Sequence, residues 1–452
     1  MNRIASRATA LILIVAVLLG GFGFFLAEYF AQAEDWVVFP GSPHVYNGGN
    51  IGCGVVVDRD GVLLLDLNDG RTYSGAETIR KATVHWLGDR RGSISAPALA
   101  HYAGAMLGYD MLNGIYNYGQ TGGVAELTLS ARVQTAALEA MGEYKGTVAV
   151  YNYKTGQLLC AVTTPTYDPD NVPDLTEEET LEGMYLNRFI QSVYIPGSIF
   201  KIVTLAAALE EDPSIVQQNF PCTGSYQIGT EEITCEDPHW DQTLQEAFCN
   251  SCNCAFAQIA LQLGAEKLEA YVEKFGVVRS VSFDGIATAE GNYQAVDTGD
   301  LNVAWSSIGQ YLDQVNPCAF LTFMGAVANG GKTTMPYLVE EISVDGNRTY
   351  DAKTRGGERI MSEETAALVQ EYLQYNVDHK YGADNFPSMT VGAKTGTAEV
   401  AGKKPNAMLA GFVQDEQFPL AFIVCAEDAG YGKTVCIPVI ARVLEAIREE
   451  IQ

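Results

Sequence analysis

The chain has 452 residues, of which 47% are hydrophobic and 18% are charged, a composition typical of ordered globular domains. At roughly 100–200 residues per domain, this length predicts about two or three domains. The net charge of −27 argues against nucleic acid as the main partner, because nucleic-acid-binding surfaces need clustered lysine and arginine.

The first element is an apolar segment at the N-terminus. Arg3 and Arg7 precede an uncharged run from Ala8 to Ala27, and acidic residues follow it. Twenty residues span about 30 Å as a helix, so residues 1–33 are predicted to form a single transmembrane anchor with its N-terminus in the cytoplasm. The alternative is a cleaved signal peptide, because Ala31–Ala33 resembles a cleavage site, although the apolar run is longer than the usual signal core. Under either interpretation the rest of the chain is exported.

Ten cysteines suit an exported protein, in which disulfides can form. Cys249, Cys252 and Cys254 read C-x-x-C-x-C, which raises a metal or redox site, but no second C-x-x-C pair accompanies them. A disulfide between Cys222 and Cys235 is the preferred interpretation, and no metal site is predicted.

Residues 34–126 alternate short apolar runs with glycine-rich turns and are predicted to form a small β-rich domain. Asp60-Gly61 and Asp69-Gly70 are its turn signals. No cluster of catalytic side chains occurs there.

Two β runs follow, Thr147–Tyr151 and Gln157–Thr163, and the Lys-Thr-Gly at Lys154–Gly156 lies between them. Asn-Tyr-Lys-Thr-Gly has good turn chemistry, with Gly156 free to take positive φ. This Lys-Thr-Gly is therefore predicted to be a hairpin tip.

The pattern becomes helical from about 180 to 330 and returns to strands near the C-terminus. "TVGAKTGTAEV", "AMLAGFVQ" and "PLAFIVCAE" are consecutive β runs, and Ile437–Glu450 is predicted as a last amphipathic helix. Strands, then helices, then strands and a helix predict one α+β domain whose sheet is closed by both ends of the segment.

The helical region contains the first chemical motif, S-x-x-K in "YIPGSIFKIV". Ser198 opens a helix and Lys201 lies three residues later, so both side chains share one face. A serine hydroxyl needs an adjacent base to become a nucleophile, and a lysine whose pKa is lowered by burial supplies one. The alternative is a helix N-cap serine followed by a solvated lysine.

Two further motifs follow in order. Ser251 and Asn253 form S-x-N before a helix, where they either cap the helix or direct a proton relay and an amide-binding group into a cleft. The second Lys-Thr-Gly, Lys394–Gly396, lies on a strand and continues to Thr397. Lys394 and Thr395 are predicted to hold a carboxylate, Gly396 to leave room for substrate, and the N–H of Thr397 to complete an oxyanion hole. Three weak motifs in this order, each in the local structure that its role requires, make a strong signal.

With these motifs, the sequence resembles the class B penicillin-binding proteins, the monofunctional peptidoglycan D,D-transpeptidases. "TLSARVQTAALEAM", "GTVAVYNYKTGQLLCAVTTPTYDPDN", "NRFIQSVYIPGSIFKIVTLAAALE", "SSIGQ" and "MGAVANGGKTTMPYLVEEI" look like family segments in family order. The likeness runs from about Leu127 to the C-terminus. One departure is "NAMLAGFV", where the family often has an aromatic-rich segment.

The resemblance implies a serine β-lactamase-like transpeptidase domain over 127–452, with an antiparallel sheet flanked by helices and an all-helical subdomain. The anchor and a non-catalytic pedestal over 34–126 precede it. It also implies roles for four residues. Ser198 attacks the penultimate D-Ala of a stem peptide, Lys201 is the base, Ser251 relays the proton and Lys394 is an electrostatic partner.

The expected partners are stem peptides ending in D-Ala-D-Ala, β-lactam antibiotics, the cytoplasmic membrane and a glycosyltransferase of the cell-wall machinery. No cofactor is implied. A D,D-carboxypeptidase or β-lactamase using the same serine remains an alternative, as does a membrane-anchored β-lactam-binding scaffold. A β-lactam sensor would need several membrane spans. A Ser-His-Asp hydrolase is disfavoured because none of the five histidines lies in a motif.

Overall fold

The structure is a computed structural model of the chain. It describes residues 2–37, 46–47, 50–51, 53–68, 70–110, 114–115, 122–173, 182–400 and 402–451.

The first helix, α1 (Asn2–Val37), is long and apolar, and its side chains are largely exposed. Leu11, Ile12, Phe22 and Phe24 are each more than half exposed, which is costly in water and favourable in lipid. Arg3–Ala33 is long and apolar enough to cross a membrane, and it is the one such helix among the described residues. This is the form that a single-pass membrane anchor requires.

Residues 46–127 form short strands with a helical layer. The elements are β1 (Tyr46–Asn47), β2 (Asn50–Ile51), β3 (Val55–Val57), β4 (Leu63–Asp66), β5 (Thr72–Tyr73), α2 (Glu77–Leu87), α3 (Pro97–Ala100), α4 (Ala103–Leu107), β6 (Tyr109–Asp110), β7 (Gly114–Ile115) and β8 (Val124–Leu127). The turn predicted at Asp60-Gly61 joins β3 to β4, whereas the one at Asp69-Gly70 includes Asp69, which lies outside the described residues.

The helices of this region were not predicted from the sequence. No side chain of the preceding residue caps the start of α2, so its N-terminus carries no cap signal. Its core-facing residues, including Val84, Trp86 and Leu87, crowd into its second half instead of recurring evenly along the helix.

The middle of the chain supplies two strands of the main sheet and then most of the helices. The elements are α5 (Ala131–Met141), β9 (Lys145–Asn152), β10 (Leu158–Thr164), α6 (Arg188–Gln191), α7 (Lys201–Glu211), β11 (Ser225–Ile228), β12 (Glu231–Thr234), α8 (Leu244–Cys249), α9 (Asn253–Leu263), α10 (Ala265–Phe275), β13 (Ser282–Phe283), β14 (Ile286–Ala287), α11 (Asp300–Ser306) and α12 (Pro317–Ala328). The helical part also contains the hairpins β11–β12 and β13–β14, which were not predicted from the sequence.

The C-terminal part returns to strands and ends in a helix, as predicted. The elements are β15 (Lys332–Thr334), β16 (Val339–Val344), β17 (Asn347–Asp351), β18 (Gly356–Arg359), α13 (Glu363–Asn376), β19 (Val391–Ala398), β20 (Asn406–Gln414), β21 (Pro419–Glu427) and α14 (Gly432–Ile451).

The main sheet is antiparallel, with the order β10-β9-β21-β20-β19. Helices α5 and α14 pack on one face, and α12 packs on the other. Both faces are therefore covered, and β20 and β21 read as continuous apolar runs with buried side chains. The predicted α+β domain, with a sheet closed by both ends of its segment, is confirmed. Strand β19 lies at an edge.

A second sheet has the order β17-β16-β8-β3-β4-β5, in which β3 and β8 are parallel. It combines strands from both sides of the predicted boundary between residues 126 and 127. The positions of the domain boundaries stay a prediction.

Candidate active site

The first motif lies where a tight turn enters a helix. Ser198 is in a 3-10 turn, Gly197–Phe200, and α7 begins at Lys201. Gly197 has φ +54°, and a Cβ there would lie 2.8 Å from the carbonyl oxygen of Thr397, so the turn needs glycine to sit against β19. The spacing of three residues brings Lys201 Nζ within 2.9 Å of Ser198 Oγ, as the sequence predicts.

Lys201 is fully buried and surrounded by oxygen atoms. Its Nζ lies 2.9 Å from the carbonyl oxygen of Ser251, 3.2 Å from Ser251 Oγ and 2.8 Å from Asn253 Oδ1. The ring of Phe256 lies 5.8 Å away. Because burial penalises the charged form, the pKa of Lys201 is lowered to about 7. A large fraction of the amine is therefore neutral near neutral pH and can accept the proton of Ser198.

The second motif sits in the turn before α9. Cys252, not Ser251 or Asn253, is the N-cap, and its Sγ accepts the N–H of Ala255 at 3.4 Å. The capping alternative for Ser251 and Asn253 is therefore wrong. Ser251 has φ +57°, and this backbone conformation directs its side chain toward Lys201 and Lys394.

Asn253 is engaged by the chain at both ends of its amide. Its Oδ1 accepts from Lys201, and its Nδ2 donates to the carbonyl oxygen of Thr234 at 2.8 Å. These contacts hold the Lys201 amine in place. The predicted contact between Asn253 and a substrate amide stays a prediction.

The third motif lies on the edge strand β19. Lys394 is 1% exposed, and its Nζ lies 3.0 Å from Ser251 Oγ and 3.0 Å from the carbonyl oxygen of Thr395. Burial, and then the nearby charge of Lys201, lowers the pKa of Lys394 well below its usual value. The three motifs thus meet at one hydroxyl group, that of Ser251.

The outer edge of β19 offers backbone groups to a ligand. The N–H of Thr395 points away from β20 and donates to the hydroxyl of Tyr381 at 3.0 Å. Backbone groups of alternate residues point the same way in an antiparallel strand, so the N–H of Thr397 also points outward, on the side of the turn that carries Ser198. This arrangement suits the predicted oxyanion hole between the N–H groups of Ser198 and Thr397.

The glycine at position 396 has a packing reason besides the predicted one. A Cβ on Gly396 would lie 2.9 Å from the carbonyl oxygen of Pro196 and 3.1 Å from Met408 Cβ. Both atoms belong to the protein interior. Gly396 therefore allows β19 to approach the turn of the first motif, and the expectation that it leaves room for substrate stays a prediction.

The earlier Lys-Thr-Gly is a hairpin tip, as predicted. Lys154 is exposed, and its Nζ lies 2.7 Å from Asn329 Oδ1. The hairpin β9–β10 forms the opposite edge of the sheet from β19. It does not contribute to the site.

Sequence reasoning missed two residues that support β19. Tyr381 ends a π-helical turn, Val377–Tyr381, and its hydroxyl also lies 3.1 Å from Thr395 Oγ1. Asn376 donates through Nδ2 to the carbonyl oxygen of Ala393 at 3.1 Å. Neither belongs to a motif, and no local pattern marks them.

The predicted disulfide is not formed, because Cys222 and Cys235 are both free thiols in the structure. Their Sγ atoms lie in a group with Cys252 Sγ and a nitrogen of His239, all within 4.8 Å of one another.

Comparisons with known proteins agree with this geometry. Residues 146–445 match the family model of the penicillin-binding protein transpeptidase domain. The chain is 30% identical to the peptidoglycan D,D-transpeptidase PbpA of Mycolicibacterium smegmatis over 68% of this chain and 68% of that protein.

Two solved structures share the fold. The D,D-transpeptidase domain of a peptidoglycan glycosyltransferase from Eggerthella lenta superposes with a TM-score of 0.74 at 26% identity, covering 88% of this chain and 98% of that one. The penicillin G acyl-enzyme of penicillin-binding protein A from M. tuberculosis superposes with a TM-score of 0.74 at 24% identity, covering 88% and 99%.

Proposed function

The chain belongs to the penicillin-binding protein transpeptidase family, and we propose that it is a peptidoglycan D,D-transpeptidase that cross-links stem peptides through a serine acyl-enzyme. The observation that carries the proposal is the 2.9 Å contact between Ser198 Oγ and the buried amine of Lys201. A relative 30% identical to this chain bears the name of that activity.

Acylation begins with the proton of Ser198. Neutral Lys201 accepts it while Oγ bonds to the carbonyl carbon of the penultimate D-alanine, and the N–H groups of Ser198 and Thr397 hold the oxyanion. The bond to the terminal D-alanine then breaks. Its nitrogen takes a proton from Ser251, which regains one from Lys201, 3.2 Å away. Lys394, at 3.0 Å, stabilises the Ser251 oxygen while the proton moves.

Deacylation reverses these proton movements. An amine from a second stem peptide attacks the ester, loses a proton to the Ser251–Lys201 pair, and expels Ser198, which is reprotonated. The new amide bond is the cross-link. β-Lactams acylate the same Ser198. The M. tuberculosis protein of the same fold forms an acyl-enzyme with penicillin G.

The hydrogen-bond partners of the catalytic groups favour the transpeptidase over a class A β-lactamase. Among the described residues, no Asp or Glu side chain hydrogen-bonds to Ser198, Lys201, Ser251 or Lys394. Class A β-lactamases use a glutamate to activate water for deacylation. A site without such a group lacks this route to rapid hydrolysis of the acyl-enzyme.

The proposed location follows from α1. Arg3 and Arg7 precede the apolar span, so the N-terminus lies in the cytoplasm and the catalytic domain lies on the outer side of the cytoplasmic membrane. The mature protein should keep Met1 at its N-terminus, whereas a cleaved signal peptide would leave Glu34 first in N-terminal sequencing.

A glycosyltransferase that polymerises the glycan strand on the same side is the proposed partner.

The test is mass spectrometry of purified stem peptides incubated with the full-length chain in detergent. We expect a product that has lost D-alanine and gained the second peptide, and none with Ser198→Ala. Peptides that are only trimmed would identify a carboxypeptidase instead. Bound penicillin without any peptide product would identify a scaffold.

A further inference from the structure

Four potential metal ligands converge beside the second motif. The Sγ atoms of Cys222, Cys235 and Cys252 and a ring nitrogen of His239 all lie within 4.8 Å of one another. All four residues are at least partly buried. Three sulfur atoms and one imidazole nitrogen form a ligand set typical of structural zinc sites.

The distances within the group match a tetrahedral site. With Zn–S near 2.3 Å and Zn–N near 2.0–2.1 Å, tetrahedral geometry places two sulfur atoms about 3.8 Å apart and a sulfur and a nitrogen about 3.5 Å apart. Cys235 Sγ lies 3.7 Å from Cys252 Sγ, and Cys222 Sγ lies 3.5 Å from His239 Nδ1. Both separations fit edges of such a tetrahedron.

The backbone delivers these side chains through local turns. The hairpin β11–β12 connects Cys222 to Cys235, so its two ends present one thiol each. His239 then folds back because its N–H and that of Trp240 both donate to the carbonyl oxygen of Cys222, at 3.1 and 2.8 Å. Cys252 contributes from the N-cap of α9.

Backbone N–H groups already point at two of the sulfur atoms. The N–H of Cys254 donates to Cys235 Sγ at 3.4 Å, and that of Ala255 donates to Cys252 Sγ at 3.4 Å. Donors of this kind stabilise the thiolate form, which is the form that binds a metal. The arrangement thus has both the ligands and the outer hydrogen bonds of a metal site.

We propose that Cys222, Cys235, His239 and Cys252 bind a structural Zn²⁺ ion that fixes the Ser251–Asn253 turn in the active site. Cys252 is the residue between Ser251 and Asn253. Asn253 also donates to Thr234, the residue before Cys235, at 2.8 Å. A metal bound to both Cys235 and Cys252 therefore fixes the residue next to each partner of this hydrogen bond. The ion does not touch substrate and acts by positioning.

Disulfide formation is the competing fate of the same thiols. Cys254 Sγ lies 3.4 Å from Cys235 Sγ, so either Cys252 or Cys254 could be oxidised with Cys235 in an exported protein. Metal binding and a bridge at Cys235 exclude each other, because a metal ligand must be a thiolate. The two outcomes are separable by experiment.

The experiment measures metal content in the full-length chain purified in detergent without chelators. We expect about one zinc ion per chain, and tetrahedral thiolate absorption bands when Co²⁺ replaces zinc. His239→Ala and Cys222→Ser should lose the metal. Cys249→Ala is the matched control: it removes the first cysteine of the C-x-x-C-x-C motif, which is not in the group, and should keep the metal.

A further measurement, on the unmutated chain, separates loss of the metal from misfolding of a variant. Chelation of zinc from the unmutated chain should lower its melting temperature and slow penicillin acylation, and added Zn²⁺, but not Mg²⁺, should restore both. A chain without stoichiometric zinc and without the cobalt spectrum would overturn the proposal. So would a non-reducing peptide map that finds Cys235 bridged to another cysteine.

Discussion

Lys201 and Lys394 both reach the hydroxyl oxygen of Ser251, at 3.2 and 3.0 Å. Both amines are buried, and two ammonium groups sharing one oxygen would repel each other strongly in a medium of low dielectric constant. The pKa values of both are lowered, first by burial. Near neutral pH the pair therefore favours the state with a single ammonium group. The other amine is then neutral and available as a base.

The pH dependence of acylation tests this relationship. Lys201 acts as a base only when neutral, and its pKa is lowered to about 7. The second-order rate constant for penicillin acylation should rise about tenfold per pH unit below that value and level above it. Stopped-flow measurement with a fluorescent penicillin, over about two pH units on each side, provides the profile. A rate that is flat or falls across this range would contradict the assignment of the base.

The two Lys-Thr-Gly copies provide a matched pair of variants. Lys394→Ala removes a buried group that contacts Ser251, so acylation should slow on the order of 10²–10³-fold, by analogy with lost oxyanion-hole donors. Lys154→Ala changes an exposed hairpin tip and should leave the rate within about a factor of two. Labelling by penicillin measures both variants, with circular dichroism to verify folding. The reverse outcome would mean that the third motif has been assigned to the wrong copy.

The glycine at position 396 should be sensitive to a single added methyl group. In Gly396→Ala the new Cβ meets the carbonyl oxygen of Pro196 and the side chain of Met408, so β19 must shift from the turn that carries Ser198. Such overpacking costs about 1–3 kcal/mol in the free energy of unfolding, and acylation should slow as well.

Gly356→Ala is the control for this change. No heavy atom lies within 4 Å of the position that a Cβ would take on Gly356, which is on the exposed strand β18. Urea unfolding and penicillin labelling of the two variants should separate them clearly. Equal behaviour would show that β19 and the turn do not need their close approach.

The hydroxyl of Tyr381 should support acylation by holding β19 in position. Tyr381→Phe removes the acceptor for the N–H of Thr395, a loss of about 0.5–1.5 kcal/mol, or up to about tenfold in rate. We expect slower acylation with an unchanged pH profile, because Tyr381 positions β19 and is not the base. Tyr153→Phe, which is also buried but lies on the first hairpin, should leave the rate unchanged. A shifted pH profile in Tyr381→Phe would contradict a purely positioning role.

Local spacing explains why most of the site could be predicted from the sequence. An interval of three residues places Ser198 beside Lys201 in any helical turn, and the β pattern around Lys394 separates it from the hairpin at Lys154. The main sheet was predictable for the same reason, because its strands are long apolar runs between turns.

The remainder depends on contacts between distant segments. Tyr381 reaches Thr395 only because α13 packs beside β19, and nothing near Tyr381 in the sequence records that contact. The metal-ligand group was not predicted, because the C-x-x-C-x-C motif groups Cys252 with Cys249, which is not one of the four ligands. Two of the ligands, Cys222 and His239, come instead from either side of the hairpin β11–β12. The sequence alone does not show that His239 lies beside Cys222 and Cys235, so it suggested a disulfide between these two cysteines.

The last strand of the chain, β21, lies in the middle of the main sheet, between β9 and β20. A chain that has been synthesised and exported only as far as β20 therefore has two separate pairs of strands, β10-β9 and β20-β19, with no strand between them. Until β21 arrives, the facing edges of β9 and β20 are open to pairing with other chains. Joining them also closes a loop of more than 260 residues between β9 and β21, a slow step for a folding chain. The site at β19 thus matures only after β21 has been synthesised and exported, so removal of residues 418–452 should abolish penicillin binding while leaving every motif residue in place.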